Sequence, residues 1–189
     1  MKLLNLLSFS AILMTSVGFS QSNNPLYLDA NQPVEVRLDD LMSRMTLEEK
    51  VYQMNQFVGL DHMREAEKNL SVEELHSNDA QGFYKGLFSD DVAQMTKEGK
   101  IGSFLHVLTT EEANLLQELA FQSRLKIPIL IGIDAIHGNA LVSGTTVYPS
   151  PISLASTWSD TFLYDVGKQS AKEMRATGSH WAFTPNIDV

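Results

Sequence analysis

The chain has 189 residues, of which 43% are hydrophobic and 20% are charged, a composition typical of a globular protein with an ordinary hydrophobic core. Its formal net charge of −9 provides no electrostatic attraction for nucleic acid or for an anionic membrane surface. It contains no cysteine, which excludes disulfides, thiolate metal sites and a thiol nucleophile.

The N-terminus has the pattern of a secretory signal peptide. Lys2 is the charged region, an apolar run extends from Leu3 to Val17, and small residues precede a predicted cleavage site after Ser20. The run is interrupted by polar residues and is shorter than a bilayer span, which disfavours a single-pass membrane anchor. We therefore expect residues 1–20 to be removed, giving a periplasmic or secreted protein with no membrane anchor, and residues 21–35 to form a polar tether.

Two helices are predicted after the tether. Apolar residues recur at helical spacing from Leu38 to Met45, and Thr46 and Glu49 have the spacing of a capping box at the start of the second helix. The apolar face of this second helix is expected to continue to Val58. Residues 61–98 predict only two short helices, near 72–75 and 91–98.

Three strands, alternating with helices, are predicted in the rest of the chain. The first lies within residues 100–107, and a helix with capping-box spacing from Thr109 to Glu112 follows it. The second, residues 127–133, is an apolar β-branched run typical of a strand buried on both faces of a parallel sheet.

A loop over residues 139–156 leads from the second strand to another helix. This helix begins near Ser159 and ends at Gly178, where glycine allows the left-handed conformation of a helix C-terminus. The third strand is predicted at residues 180–185.

Strands that alternate with helices predict an α/β fold with a parallel sheet. Four polar residues follow strand ends, as functional residues do in a (β/α)8 barrel: His106, Asp134, His137 and Asp188. The Gly-rich phosphate turn of a doubly wound sheet is absent from the sequence. Because a barrel needs eight strands, we expect the chain to be the N-terminal portion of a (β/α)8 TIM-type barrel, with about three strands, in a larger protein.

Five sequence segments point to one family: residues 41–51, 99–103, 127–138, 171–178 and 183–189. The third reads Ile-Pro-Ile-Leu-Ile-Gly-Ile-Asp-Ala-Ile-His-Gly and the last reads Phe-Thr-Pro-Asn-Ile-Asp-Val. Together they resemble the N-terminal barrel domain of glycoside hydrolase family 3, the β-glucosidase and exo-β-glucanase type. The resemblance implies that residues 36–189 are an incomplete barrel domain of this family.

The resemblance also implies an activity. It indicates a retaining β-glycosidase that hydrolyses β-glucosides or short β-glucans from the nonreducing end, with a carbohydrate as its partner and without a cofactor. In the family the barrel is followed by an α/β sandwich domain, and a terminal sugar is held between the two. The nucleophile and the acid/base carboxylate match no residue of this chain, so no catalytic residue is assigned and the chain alone is expected to be inactive.

By the same resemblance, Asp134 matches the aspartate that hydrogen-bonds hydroxyls of the nonreducing-end sugar. A carboxylate suits that role because it accepts two charge-assisted hydrogen bonds, although Asp134 could instead cap the following turn. The further substrate-binding candidates are His137, which could instead hold the turn, and Asp188, which could line the pocket or orient an arginine. His106 and His180 are expected to pack in the core or at its rim. Trp181 and Phe183 are expected to lie in the core rather than to stack on a sugar.

Two other functions stay open from the sequence. The imidazole and carboxylate groups of five residues would suit zinc at a barrel mouth: His106, Asp134, His137, His180 and Asp188. No His-x-His or His-Glu-x-x-His spacing is present, so no metal site is assigned. The chain could also be a noncatalytic sugar-binding remnant. Its oligomeric state is not predicted.

Overall fold

The computed structural model describes residues 25–75, 84 and 86–185, so the predicted signal peptide and Asp188 lie outside it. The chain divides into two compact units at Arg44. Within the part of the chain that the model describes, no helix is long and apolar enough to cross a membrane.

The first unit contains a short 3-10 helix, Leu26–Leu28, and helix α1, Val34–Arg44. Asp40 of α1 accepts hydrogen bonds from the backbone N–H of Tyr27, at 3.1 Å, and from the guanidinium of Arg44, at 2.8 Å. The guanidinium of Arg44 holds the pKa of Asp40 below its usual range. Residues 26–28, in the segment predicted to be a tether, are thus held against α1.

The second unit begins with helix α2, Leu47–Tyr52, and its predicted capping box is confirmed. The hydroxyl of Thr46 accepts from the N–H of Glu49 at 3.2 Å, and the Glu49 carboxylate accepts from the N–H of Thr46 at 2.9 Å. The predicted continuation of this helix to Val58 is wrong. The carbonyl of Asn55 accepts from the N–H groups of Gly102 and Ser103, at 3.1 and 3.2 Å, and this pairing with a distant segment draws residues 56–58 into a strand.

Four parallel strands form one sheet whose spatial order follows the chain. They are β1, Gln56–Val58; β2, Ser103–Leu105; β3, Leu130–Ile133; and β4, Trp181–Ala182. Parallel neighbours in chain order are the arrangement of a (β/α)8 barrel, so the predicted fold class is confirmed for part of a barrel. The sheet has one strand more than predicted, because the apolar residues up to Val58 continue the helical spacing of α2.

Helices occupy the connections between the strands. They are α3, Leu60–Asn69; α4, Val72–Leu75; α5, Ser89–Lys97; α6, Thr110–Ala120; α7, Pro151–Ala155; and α8, Asp160–Ala176. Helices α3 and α7 were not predicted. The predicted start and end of α8 are confirmed, because the hydroxyl of Ser159 accepts from the N–H of Phe162 at 3.3 Å and Gly178 has a φ of 92°.

The hydrophobic core lies between the sheet and helices α3, α5 and α6. The strand register places Phe57, Phe104 and Ile131 side by side, and all three are buried. On the opposite face of the sheet Leu130 is 52% exposed whereas Gly132 is buried, so the expectation that β3 is buried on both faces fails only at Leu130. The alternation of side chains along a strand places Leu130 on the face opposite to Ile131, since consecutive residues of β3 face opposite layers.

Trp181 and Phe183 lie on the same side of the sheet as Leu130. Their rings meet edge to face, with centroids 4.8 Å apart and an interplanar angle of 66°. The ring of Phe183 lies over Gly132, where a Cβ atom would come within 2.3 Å of the ring. The two rings therefore pack against each other, and Phe183 also packs against the backbone of β3. Trp181 is 46% exposed, so the expectation that it lies in the core is wrong.

Glu112, in the first turn of α6, forms only half of its predicted capping box. Its N–H donates to the hydroxyl of Thr109 at 3.2 Å, but its carboxylate accepts from the N–H of Asp61 at 3.0 Å, in the first turn of α3. The residue is only 4% exposed, and burial raises the pKa of its carboxyl group against the opposing effect of this hydrogen bond. A buried carboxylate thus joins the helices that follow β1 and β2.

The raised pKa of Glu112 predicts a pH-dependent effect of Glu112→Gln. The folded protein binds the Glu112 proton more tightly than the unfolded chain does. The protonated carboxyl group therefore stabilises the fold at low pH, and this stabilisation is lost as the pH rises above the pKa of Glu112 in the unfolded chain and then above its pKa in the folded protein. The glutamine stays neutral, and its amide oxygen can still accept from Asp61. We expect the variant to be more stable than the wild type at neutral pH and to lose that advantage on acidification, once the wild-type carboxyl group is protonated in both the folded and the unfolded state.

Urea unfolding of both proteins at several pH values measures this difference. The matched control is Glu111→Gln, which changes an exposed neighbour in the same helical turn. A gain for Glu112→Gln that is the same at every pH would contradict the explanation.

Candidate functional site

The C-terminal ends of β2 and β3 bring two polar residues together. Leu105, the last residue of β2, is aligned with Gly132 of β3. His106 directly follows β2 and Asp134 directly follows β3. Because parallel strands end at the same edge of a sheet, the two side chains reach the same place, which in a barrel is the edge that carries the functional loops.

The imidazole of His106 and the carboxylate of Asp134 form a hydrogen bond. The distance from His106 Nε2 to Asp134 Oδ2 is 2.8 Å. An ionised carboxylate can only accept, so Nε2 carries the hydrogen and donates it. The two side chains are 34% and 42% exposed, so the pair lies at the surface of the described chain. His106 is thus half-buried at the rim rather than in the core, and its polar tip is directed at Asp134, a contact that was not predicted.

The backbone of His106 has an unusual conformation. Its φ is 55°, in the left-handed region that residues other than glycine rarely adopt. Its N–H donates to the carbonyl of Gly132 at 3.0 Å, which continues the pairing of β2 with β3 by one residue. The left-handed turn follows directly after this bond, at the point where the imidazole reaches towards β3.

Asp134 lies in a tight turn, in which the N–H of Ala135 donates to the carbonyl of Ile133 at 3.0 Å. In the described ranges, the Asp134 carboxylate accepts its hydrogen bond from His106 through Oδ2, and no backbone N–H donates to it. This geometry gives no support to the alternative role of Asp134 as a cap for the following turn.

Gly138 fixes the start of the loop that follows Asp134. Its φ is 93°, and a Cβ atom there would lie 2.2 Å from the carbonyl oxygen of Thr146. The N–H of Tyr148 donates to the carbonyl of His137 at 2.8 Å, so two stretches of the loop run against each other. Only glycine fits this close approach of two backbones.

Helix α8 holds the same loop from the other side. The carboxylate of Glu173 accepts from the N–H of Thr146 at 2.9 Å and from its hydroxyl at 2.8 Å, and the backbone hydrogen bond lowers the pKa of Glu173. The fully buried side chain of Asn139 donates to the hydroxyl of Thr177 at 3.0 Å. These contacts fix the loop after β3 to the C-terminal half of α8.

Among the described residues, His137 and His180 form no hydrogen bond with Asp134, and Asp188 lies outside those residues. The ring atom Nδ1 of His137 is buried and has no hydrogen-bond partner among the residues that the structure describes, while its carbonyl holds the turn. His180 lies beside Ile131, whose N–H donates to its Nδ1 at 3.3 Å, and burial lowers the pKa of its imidazole. His180 therefore lies at the N-terminal end of β4, at the opposite edge of the sheet from the C-terminal strand ends that carry His106 and Asp134.

The described residues contain no group of three His, Asp or Glu side chains that could hold a metal ion. The set considered for zinc is divided, because His106 and Asp134 are paired while His180 stands at the start of its strand. The donor set available here therefore gives no support to the metal-dependent alternative.

Sequence reasoning missed the role of His106 as the partner of Asp134, and those of Glu173 and Asn139 in holding the loop. A signal for His106 was present, since it follows its strand directly, as Asp134 follows the next one. Aligning the ends of neighbouring strands would have placed the two side chains together. Local sequence carries no comparable signal for Glu173 or Asn139, because each contacts residues 27 or 38 positions away.

Comparison with known proteins gives concordant results. The sequence-family model described as the glycosyl hydrolase family 3 N-terminal domain matches residues 46–189 of this chain. A periplasmic β-glucosidase of Salmonella typhimurium is 27% identical over 169 residues, covering 88% of this chain and 18% of that protein. A β-xylosidase of Formosa agariphila is 34% identical over 96 residues, covering 48% of this chain and 13% of that protein.

A solved structure shows the same fold. It is a mutant exo-1,3/1,4-β-glucanase from a Pseudoalteromonas species, with a TM-score of 0.59 and 27% identity, and the match covers 82% of this chain and 23% of that one. This chain therefore spans less than a quarter of the length of each of these three relatives.

The loop geometry predicts that Gly138→Ala destabilises the protein more than Gly144→Ala does. Both glycines have a positive φ, but a Cβ atom at Gly144 meets nothing within 4 Å, whereas one at Gly138 overlaps the carbonyl of Thr146. The control variant should lose about 1–2 kcal/mol from backbone strain alone, and Gly138→Ala should lose more. Urea unfolding measures both losses, and equal values would show that the close approach at Gly138 has no energetic weight.

Proposed function

Since this chain belongs to glycosyl hydrolase family 3 through its N-terminal domain, we propose that the whole protein is a retaining β-glycosidase. Its substrates are β-glucosides or short β-glucans, which it hydrolyses at O-glycosidic bonds from the nonreducing end. The names of the relatives, a β-glucosidase, a β-xylosidase and an exo-β-glucanase, support a carbohydrate as the partner.

In this proposal Asp134 binds hydroxyl groups of the terminal sugar. The observation that carries it is the half-exposed carboxylate at the C-terminal end of β3, held through Oδ2 by His106. Within the described chain Oδ1 has no hydrogen-bond donor, so it can accept from a hydroxyl group. A carboxylate that is fixed at one oxygen and open at the other is suited to bind a sugar in one orientation.

Hydroxyl contacts of this kind assist the reaction at a distance from the bond that breaks. Hydrogen bonds to the sugar that strengthen in the oxocarbenium-like transition state lower the barrier, whereas contacts of equal strength throughout lower only KM. Retention also requires two carboxyl groups about 5–5.5 Å apart, one as nucleophile and one as acid/base. We assign neither to this chain, so Asp134 acts on binding and orientation.

The remaining assignments follow the sequence. Residues 1–20 serve as a signal peptide, residues 21–35 as a tether and residues 36–189 as the incomplete barrel domain. The protein is periplasmic or secreted, which the name of the periplasmic relative from Salmonella typhimurium supports. No cofactor is required by the proposed chemistry, and His137 and Asp188 are secondary candidates for contact with the sugar.

The choice of sugar can be tested directly. β-Glucosides and β-xylosides differ in the hydroxymethyl group on the sugar ring, and the relatives include proteins named for each sugar. The proposal is that the full-length protein has the higher kcat/KM on an aryl β-glucoside. A higher kcat/KM on the matching aryl β-xyloside would keep the reaction class and reverse the assignment of the sugar.

Replacing Asp134 by alanine in the full-length protein should lower kcat/KM on the preferred aryl β-glycoside by at least about tenfold, and by about 100-fold or more if two hydrogen bonds are lost. The reason is the loss of one or two charge-assisted hydrogen bonds, each worth about 1.5–3 kcal/mol. The control is Asp165→Ala, which removes an exposed carboxylate from α8 and should leave kcat/KM unchanged. Wild-type kinetics in Asp134→Ala would assign the residue to the local turn instead.

The isolated 189-residue chain should not hydrolyse an aryl β-glucoside. The expectation follows from the absence of a matched nucleophile and acid/base in the proposed assignment. Release of the aryl group by the purified chain, at a rate above that of an Asp134→Ala control preparation, would show that its own residues complete an active site.

A further inference from the structure

We propose that His106 is a positioning residue, whose imidazole holds the carboxylate of Asp134 in the orientation that receives the sugar hydroxyls. The inference rests on the proposed function of Asp134. It adds a second residue to the site, supplied by a different strand.

The first support is the hydrogen bond itself. His106 Nε2 lies 2.8 Å from Asp134 Oδ2, and in the described chain this is the hydrogen bond that the carboxylate accepts. With 42% of its side chain exposed, Asp134 without this bond could rotate freely at its terminal carboxylate. A sugar would then have to order the group as it binds, and that cost would reduce affinity. The imidazole orders the carboxylate beforehand.

The second support is the backbone at His106. A position with a φ of 55° is best filled by glycine, and asparagine is the next most tolerant choice. In the described ranges two other non-glycine residues have a positive φ, Lys126 and Trp158, and neither side chain forms a hydrogen bond with another described residue. Backbone strain retained together with a directed side-chain contact is typical of functional positions.

The third support is the rigidity of the strand end that carries His106. The N–H of Gly59 donates to the carbonyl of Leu105 at 2.9 Å, and a Cβ atom at Gly59 would come within 2.9 Å of both the His106 carbonyl oxygen and Glu112 Oε1. The buried carboxylate of Glu112 in turn holds the N–H of Asp61. The backbone at His106 is thus held in place by its contact with Gly59, which in turn lies against Glu112, as a positioning residue requires.

The proposal is tested in the full-length protein with two substitutions that separate the imidazole from the backbone. His106→Gly removes the ring and relieves the left-handed strain, so it should unfold at the same or a higher temperature than the wild type. His106→Gln restores an N–H donor of similar reach but keeps the strain, so it should be the less stable of the two. We expect kcat/KM on the preferred aryl β-glycoside to fall at least tenfold in His106→Gly and to recover at least partly in His106→Gln.

The order of the two variants is the decisive readout. If His106 serves only the fold, activity should follow stability, and His106→Gly should be the more active variant. If His106 positions Asp134, activity and stability run in opposite orders. The control is Lys126→Gly, which relieves the same kind of backbone strain before β3 and should leave kcat/KM unchanged.

A double-mutant cycle with Asp134→Ala shows whether His106 acts through Asp134. We expect His106→Gly to change kcat/KM less than twofold when Asp134 is already alanine. An unchanged tenfold loss in that background would overturn the inference. Wild-type kinetics in His106→Gly, alongside a full loss in Asp134→Ala, would also overturn it while leaving the proposed function intact. Wild-type kinetics in Asp134→Ala would overturn both.

Discussion

The register between β2 and β3 is the constraint on which the site depends. The alignment of Leu105 with Gly132 places His106 beside the last residue of β3, so that its side chain reaches Asp134, the next residue along the chain. A slip of one residue would exchange the two faces of a strand, moving Phe104 or Ile131 out of the core while separating the imidazole from the carboxylate. The same pairing that buries the helix-facing side of the sheet therefore also assembles the polar pair at its end.

Three carboxylates around these loops have different partners and different uses. Glu112 is buried and holds the start of α3, and Glu173 accepts two hydrogen bonds from Thr146. The carboxylates of Glu112 and Glu173 both accept hydrogen bonds from backbone N–H groups. Burial raises the pKa of Glu112, whereas the hydrogen bond from the backbone of Thr146 lowers the pKa of Glu173. Asp134 receives its hydrogen bond from a side chain and stays half-exposed. This difference in partners distinguishes a carboxylate available to a ligand from two that maintain the loops.

The parts predicted well from the sequence are those determined by local chemistry. The capping box of α2, the start of α8 and its glycine terminus depend on neighbours within a few residues, and β3 was visible as an apolar run. Strand β1 was missed because Val58 continues a helical spacing, and only pairing with β2 makes it extended. The contact of Glu112 with Asp61 spans 51 positions and has no local signal, whereas the contact of His106 with Asp134 spans 28 positions and could be predicted only by aligning the ends of neighbouring strands.

The absence of a side chain at Gly132 has a consequence for how this part of the barrel can evolve. The ring of Phe183 occupies the space where a Cβ atom would be, so β3 and the segment after β4 share one volume. A larger residue at position 132 and an aromatic ring at position 183 exclude each other. A larger residue at position 132 is therefore compatible only with a smaller one at position 183, so a change at the first position depends on the second.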